Sequence, residues 1–395
     1  MRYPIVIVGG GTAGISTAAR LLREHPSWRG QVAIVEPAEK HYYQPLWTLV
    51  GAGAAPLEAT ERDEASLIPP GAVWIRDAVV AFRPEQGEIE LASGAALSYD
   101  ALVVSMGIQM DWNKIKGLLG NIGRNGICSN YTYEYVQTTW SALQKFRGGN
   151  AVFTMPETPI KCGGAPQKIA YLADDYLRKK GVRHKAQIHF VTGTPTIFSV
   201  KKYADALMKV VERKHIHTHF KHRLIEVKAD DKVAVFENLD TGETMALDFD
   251  LLHVVPPMSA PDVIKQSPLA NEAGWVDVDK FTLQHVRYPN VFSLGDCSSL
   301  PTSKTGAAIR KQVPVLVHNL TAYLANRPVE AEYHGYTSCP LVTGYGRLIL
   351  AEFDYSHEPE ETFPFDQGQE RFSMYVLKKS FLPVLYWDGM LKGLM

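Results

Sequence analysis

The first forty residues leave this chain little choice of fold. Pro4-Ile5-Val6-Ile7-Val8 is a short unbroken apolar run of the kind that forms a strand buried on both faces, and it leads into Gly9-Gly10-Gly11-Thr12-Ala13-Gly14. A helix is predicted from about Ala13 to Glu24, then a second strand over Gln31–Val35 that ends at Glu36. Strand, G-x-G-x-x-G turn, helix, strand and terminal acid make the complete dinucleotide-binding unit. Gly9 permits the tight turn, Gly11 lets the backbone approach a pyrophosphate, and Gly14 lets the helix lie close to the strand. Glu36 then stands where it meets the ribose hydroxyls of an adenosine. The glycine spacing alone would say little; the flanking strands, helix and acid make it specific.

At 395 residues the chain has room for two to three domains. A polar and aromatic loop, His41–Trp47, is followed by a β-rich stretch from about Val73 to Leu97 and a strand over Tyr99–Met106 that ends at Gly107. Much later, Asn290–Leu294 is a short apolar strand ending in Gly295-Asp296, with a helix from about Thr305. An acid at that place can accept a hydrogen bond from a flavin's ribityl chain, and the helix turns its positive end toward the ring. A second α/β unit is expected over about residues 150–257. Its strands fall at Ala151–Thr154 and Gln187–Thr192, its helices at Ala165–Lys180 and Lys202–Lys214, and a β-meander covers Leu224–Val255. Neither of its strand-to-helix turns carries G-x-G-x-x-G, so a pyrophosphate cannot approach the backbone there in the usual way. NADH is a poor candidate for the electron donor.

Forty-one basic and forty-two acidic side chains leave a net charge of −1, without the basic stripe that a nucleic-acid partner needs. Cys128, Cys162, Cys297 and Cys339 are too widely spaced for a zinc motif or a secreted disulfide scaffold. Cys162 stands just before a predicted helix and beside Lys161; both features favour its thiolate. The alternation of His215, His217 and His219 puts them on one face of a strand, read as a solvated sheet face and not a metal site, since no acid or cysteine completes it. Ile5–Val8 is too short for a signal-peptide core, and no apolar stretch approaches the roughly 20 residues of a spanning helix. The tail, Lys378–Trp387 and Met390–Met395, interleaves aromatics, aliphatics and lysines. It reads as a segment lying in a membrane interface, with a core-capping helix or a dimer contact as the alternatives.

Over nearly its whole length the chain resembles the sulfide:quinone oxidoreductases, in the branch that includes the mitochondrial enzymes. The resemblance is carried by His41–Gly51, Ile160–Ile169, Lys201–Leu207, Leu300–Thr305, Tyr336–Tyr345 and Phe363–Gln367, with the two cysteine segments as the specific signal. It implies an α/β fold of two Rossmann-like dinucleotide-binding-type domains with β-meander insertions, plus a C-terminal membrane-associating segment. The divisions expected are 1–115 and 281–330 for FAD, 116–280 for the second domain without the NAD glycine motif, and 331–395 for the quinone and membrane surface. It further implies FAD held by Gly9, Gly11, Gly14, Glu36, Gly107, Gly295, Asp296 and Lys304, with a redox disulfide between Cys162 and Cys339 on one side of the ring. Quinone is expected on the other side, near Tyr375 and Lys378.

The resemblance implies a peripheral enzyme, on the cytoplasmic face of a bacterial inner membrane or on the mitochondrial inner membrane, and a homo-oligomer is compatible with it. Sulfide would cleave the disulfide, and a small acceptor such as sulfide, sulfite, glutathione or cyanide would remove the sulfane sulfur. Cys339 is expected to take the sulfide and Cys162 to face the flavin. Cys128 lies near a third cysteine of many bacterial relatives, but its context Gly126–Asn130 does not establish that role. Tyr345, Phe353, Phe363, Phe365 and Tyr375 are the aromatics from which quinone neighbours would come. The rival readings are a single-subunit NADH:quinone oxidoreductase on the same fold and a non-catalytic flavin-containing docking protein.

Overall fold

The computed structural model describes residues 1–395. The amino-terminal unit forms as its pattern dictates: strand β1 (Arg2–Val8), helix α1 (Thr12–Glu24) and strand β2 (Val32–Val35). β1 pairs in parallel with β2 (Ile5↔Val32, Val8↔Val35) and, on its other side, with strand Ala96–Val104 (Tyr3↔Tyr99, Val8↔Val104). The inner strands are buried on both faces, which explains their unbroken apolar runs. Strand Ala96–Val104 is long enough to serve two partners along one edge. Its first residues pair with Glu88–Leu91 of an antiparallel meander, and its last three pair in parallel with Val291–Ser293. A segment nearly 190 positions downstream thus returns to the sheet one strand away from β1 and delivers Gly295, whose added Cβ would lie 3.3 Å from Ala13, and Asp296 toward the start of α1.

The second sheet is five-stranded and parallel, in the order Ile127–Cys128, Leu251–His253, Gly149–Met155, Ala186–Thr192, Ile216–His219. Helices Ala165–Lys179 and Lys201–Lys214 belong to it, and a three-stranded meander (His222–Lys228, Val233–Asn238, Thr244–Asp248) lies over its own small core. His215 is not on the strand: it ends the preceding helix in a left-handed conformation (φ +51°), so only His217 and His219 share a strand face. His189 from the neighbouring strand stacks between them, with ring centroids 5.1 and 5.4 Å away.

Helix Tyr133–Lys145 and two strands that carry part of the site had no counterpart in the sequence reading. Thr337–Gly344 and Arg347–Phe353 form an antiparallel hairpin in the main core, and Cys339 sits on it opposite Ala351. Helix Ala165–Lys179 packs directly on this hairpin. After it the chain ends in short helical turns over 372–392, and no helix is long and apolar enough to cross a membrane.

Candidate active site

The two cysteines, 177 positions apart, meet: Cys162 Sγ lies 3.9 Å from Cys339 Sγ, with both residues as free thiols. Local structure accounts for the meeting. Cys162 adopts φ +55°, a left-handed conformation costing a non-glycine residue about 1–2 kcal/mol, and its carbonyl accepts from the Ala165 N–H to open the helix. Its own N–H donates to the Lys304 carbonyl at 2.8 Å, which ties the cysteine loop to the segment after Asp296. Gly164 lets the helix start press on the hairpin. A Cβ there would overlap Leu341 and lie 3.7 Å from the Cys339 Cβ.

Buried charge then divides the pair. Cys339 donates to Cys162 and holds its thiol well below the ordinary value, against burial; the ammonium groups of Lys168 and Lys378 add to that effect. Lys168 Nζ is 3.4 Å from the sulfur. Cys339 is pushed the other way, by its bond to Cys162 and by burial. The pair is therefore unequal: Cys162 is the sulfur on which a thiolate is favoured, and Cys339 the one that keeps its proton. Lys161, expected from sequence to lower Cys162, instead bonds Gln44 Oε1 (2.6 Å) and the Tyr131 carbonyl (2.9 Å). Lys168 was the lysine to notice. It falls at i+3 from Ala165, on the same helical stripe as Ile169 and Leu172, where a lysine is out of place unless it has a partner.

Lys378, anticipated on the quinone side, is buried among these charges. Its ammonium donates to the Pro45 carbonyl at 2.9 Å, and burial brings it down to about 7, so it is within electrostatic reach of both thiols. Tyr375, on the first of the terminal helical turns, is buried in the main core. Cys128 and Cys297 are fully buried thiols raised by burial, Cys128 to about 12.

The local geometry at the residues expected to hold a flavin is compatible with one. Gly9 (φ +103°) could not carry a Cβ without striking the Ser105 carbonyl, and a Cβ on Gly14 would overlap the Gly9 carbonyl. At Gly11 nothing lies within 4 Å of an added Cβ, and no side chain caps the first turn of α1, so its N–H groups are free for a pyrophosphate. Space is also open at Gly107. Glu36 accepts from the N–H groups of Gly10 and Ala38, both at 2.7 Å, which fixes its carboxylate at the end of β2. Gly295 (φ +72°) turns the strand so that Asp296 stands raised by burial, opposed by Lys304 and then Lys161. Lys304 donates to the Ser298 carbonyl and lies 4.0 Å over the Trp275 ring.

Comparison with known proteins decides the family. A mitochondrial sulfide:quinone oxidoreductase of Mus musculus is 53% identical over 392 residues, covering 99% of this chain and 87% of the relative. Its counterpart from Dictyostelium discoideum is 49% identical, covering 98% and 86%. This chain belongs to the sulfide:quinone oxidoreductase family. Residues 3–144 also match the broader pyridine nucleotide-disulphide oxidoreductase family. The crystal structure of the sulfide:quinone oxidoreductase from Aquifex aeolicus superposes with a TM-score of 0.83 at 19% identity, over 99% of this chain and 92% of that one. Membership implies a flavin cofactor.

Proposed function

We propose that the chain oxidises sulfide at a Cys162–Cys339 disulfide and passes the electrons by way of FAD to a membrane quinone. The observation that carries the reading is the sulfur pair, brought together from segments 177 positions apart, tied through the Cys162 N–H to Lys304 and polarised by two buried lysines. FAD in particular is favoured by the complete adenosine-type unit, in which Glu36 would meet the ribose and the free turn at Gly11 the pyrophosphate. Asp296 and Lys304 would face the rest of the cofactor. When bound, the flavin supplies a two-electron acceptor for the dithiol and a donor for the quinone.

The residues of the chain order the sulfur chemistry. A disulfide is cleaved most readily where the departing thiolate is best stabilised, and that sulfur is Cys162, between Lys168 and Lys378. Hydrosulfide therefore attacks Cys339: the Cys162–Cys339 bond breaks, Cys339 becomes the persulfide Cys–S–SH, and Cys162 leaves as thiolate. A nucleophilic acceptor then bonds to the outer sulfur as the sulfur–sulfur bond of the persulfide breaks, which returns Cys339 as a thiolate or thiol. Closing the bridge again gives up two electrons; the quinone takes them with two protons and becomes quinol. We assign 1–115 with 281–330 to the flavin, 116–280 to the sulfur-side domain and 331–395 to the quinone and membrane surface.

An NADH:quinone reductase on the same fold requires a second turn open to a pyrophosphate. The connection after Met155 carries Cys162 instead, and its Glu157 backbone fills the space beside Gly193. The test is an anaerobic sulfide titration of the purified protein with decylubiquinone, with and without sulfite or glutathione. Sulfide is expected to bleach the flavin and quinone to restore it, faster with an acceptor present. Bleaching by NADH and not by sulfide would overturn the reading.

A further inference from the structure

The C-terminal segment has two faces with different work. On the inner face Tyr386, Trp387, Met390 and Leu391 are buried. Arg20 of α1 donates to the Met395 carbonyl at 3.3 Å, and Gly393 passes so close that a Cβ would sit 2.5 Å from the Arg20 backbone nitrogen. On the outer face Phe381, Val384 and Leu385, spaced i, i+3, i+4, stand 59, 56 and 42% exposed, with Leu394 at 52%. The segment therefore runs along the dinucleotide-binding helix while turning an apolar row outward.

At the amino end of α1 the contact becomes polar. The Tyr386 hydroxyl lies 2.7 Å from Thr12 Oγ1 and 2.5 Å from His41 Nε2, and His41 Nδ1 lies 3.2 Å from a Glu64 carboxylate oxygen. With Glu64 ionised, Nδ1 donates to it, Nε2 accepts the tyrosine proton, and the tyrosine oxygen accepts from Thr12. Glu64, His41 and Tyr386 are all buried, and buried polar groups are tolerated only when they satisfy one another. The second oxygen of Glu64 has no partner and rests where a Cβ on Gly10 would be. Both ends of the chain of bonds thus touch the glycine turn, and Thr12 is the first residue of the helix whose free N–H groups face a pyrophosphate.

We propose that Glu64, His41 and Tyr386 form a latch that closes the C-terminal segment over the pyrophosphate turn of the flavin site, and that a lipid bilayer receiving the outer apolar row holds the latch shut, so that membrane binding slows flavin release. The inference rests on the FAD reading above. Opening the segment breaks the Tyr386 bonds and exposes its four buried apolar side chains. The outer row lies in register with the body of the protein only while the inner face is docked. A bilayer that binds the closed form better shifts the balance toward it, and by linkage a loaded flavin site tightens membrane binding.

The experiment follows flavin release from the purified holoenzyme by recovery of free-flavin fluorescence, with and without phosphatidylcholine–phosphatidylglycerol vesicles. Tyr386→Phe removes one buried hydroxyl and should release flavin about fivefold faster, the effect of losing one net hydrogen bond. Thr12→Val, across the same bond, should do the same and Thr12→Ser should restore the parent rate; this pair carries the test if Tyr386→Phe fails to fold. Vesicles should slow release from the parent, and Val384→Glu with Leu385→Glu should erase that slowing alone. Parent-like release from both hydroxyl variants, no vesicle effect, or flavin that stays with the denatured protein would overturn the latch while leaving the FAD reading intact. A protein that binds no flavin overturns both.

Discussion

The two strand-to-helix connections after β1 and after strand Gly149–Met155 start from the same architecture and end with opposite uses of it. After β1 the turn is stripped to glycines: nothing stands near Gly11, and the first N–H groups of α1 have no cap. After Met155 the connection is longer and filled with side chains. Its N–H at Cys162 is spent on the Lys304 carbonyl, and its last glycine, Gly164, is pressed against the Cys339 hairpin. The first turn offers its helix dipole to a ligand. The second offers it to a thiolate of its own chain, with Lys168 one turn in to reinforce it. An α/β unit without a phosphate turn carries in the same place the cysteine to which we assign the redox role.

The sharpest way to break this comparison is to remove the group that replaces the phosphate. Cys162→Ser and Cys339→Ser should each lower sulfide-driven quinone reduction by about a thousandfold or more, since neither the bridge nor its persulfide can form. Each should still purify yellow, because the flavin cleft is built by the other turn. Steady-state turnover with the flavin absorbance measured on the same sample checks both halves. Normal turnover in either variant would sever the second connection from catalysis.

The reverse change belongs at the first turn. Gly11→Ala fits the cofactor-free protein, where an added Cβ meets nothing, so thermal stability without flavin should move by no more than about 0.5 kcal/mol. The same methyl stands where a pyrophosphate must approach, so flavin affinity should fall about tenfold or more. Thermal unfolding of the apo form beside a flavin titration separates the two effects. An equal loss in both would make this glycine structural instead.

How much of this contrast was legible beforehand follows from where the information lies. The first turn is a local pattern, and its strands, helix and acid appear within a residue or two of their expected places. The absence of a second glycine turn was legible for the same reason. The hairpin of Cys339 was not: its strands are buried almost throughout, so no alternation marks them, and only the Gly344-Tyr345-Gly346 break hints at a turn. The meeting of the two sulfurs is a tertiary fact that residue chemistry alone left open and the family resemblance supplied. Glu64, His41 and Tyr386 are far apart in sequence and become a chain of bonds only when the tail folds back on α1. Lys378 was placed on the quinone side by the resemblance alone, and its burial within electrostatic reach of the thiols is a tertiary fact that no local pattern in the tail announces.

A smaller effect tests the charge that distinguishes the second turn. Lys168→Met removes the ammonium 3.4 Å from the sulfur, so the Cys162 thiol must rise toward the ordinary range. The sign is fixed: a thiol held low forms its thiolate at lower pH than an ordinary cysteine, and raising it moves thiolate formation to higher pH. Alkylation of the reduced protein by iodoacetamide should therefore shift its pH profile upward. Sulfide turnover should fall by about tenfold as the leaving group worsens. An unmoved profile would mean that Cys339 alone sustains the thiolate.

The smallest effect concerns the cysteines that sit outside both turns. Cys297 directly follows Asp296 and is packed with its thiol against the Val104 carbonyl and Ser293, while Cys128 lies in the second sheet opposite His253. Burial pushes both thiols up, so neither supplies a nucleophile near neutral pH, and neither sulfur is bonded to the Cys162–Cys339 pair. Each replaces a small apolar side chain in a core, and Cys128→Ala and Cys297→Ala should cost about 1 kcal/mol of stability through lost packing. Turnover should stay within about twofold of the parent when assayed well below the melting temperature. If Cys128→Ala instead abolished turnover while leaving the melting temperature in place, the redox chemistry would extend beyond the connection after Met155. The contrast between one turn for the cofactor and one for the sulfur would then have to admit a third participant.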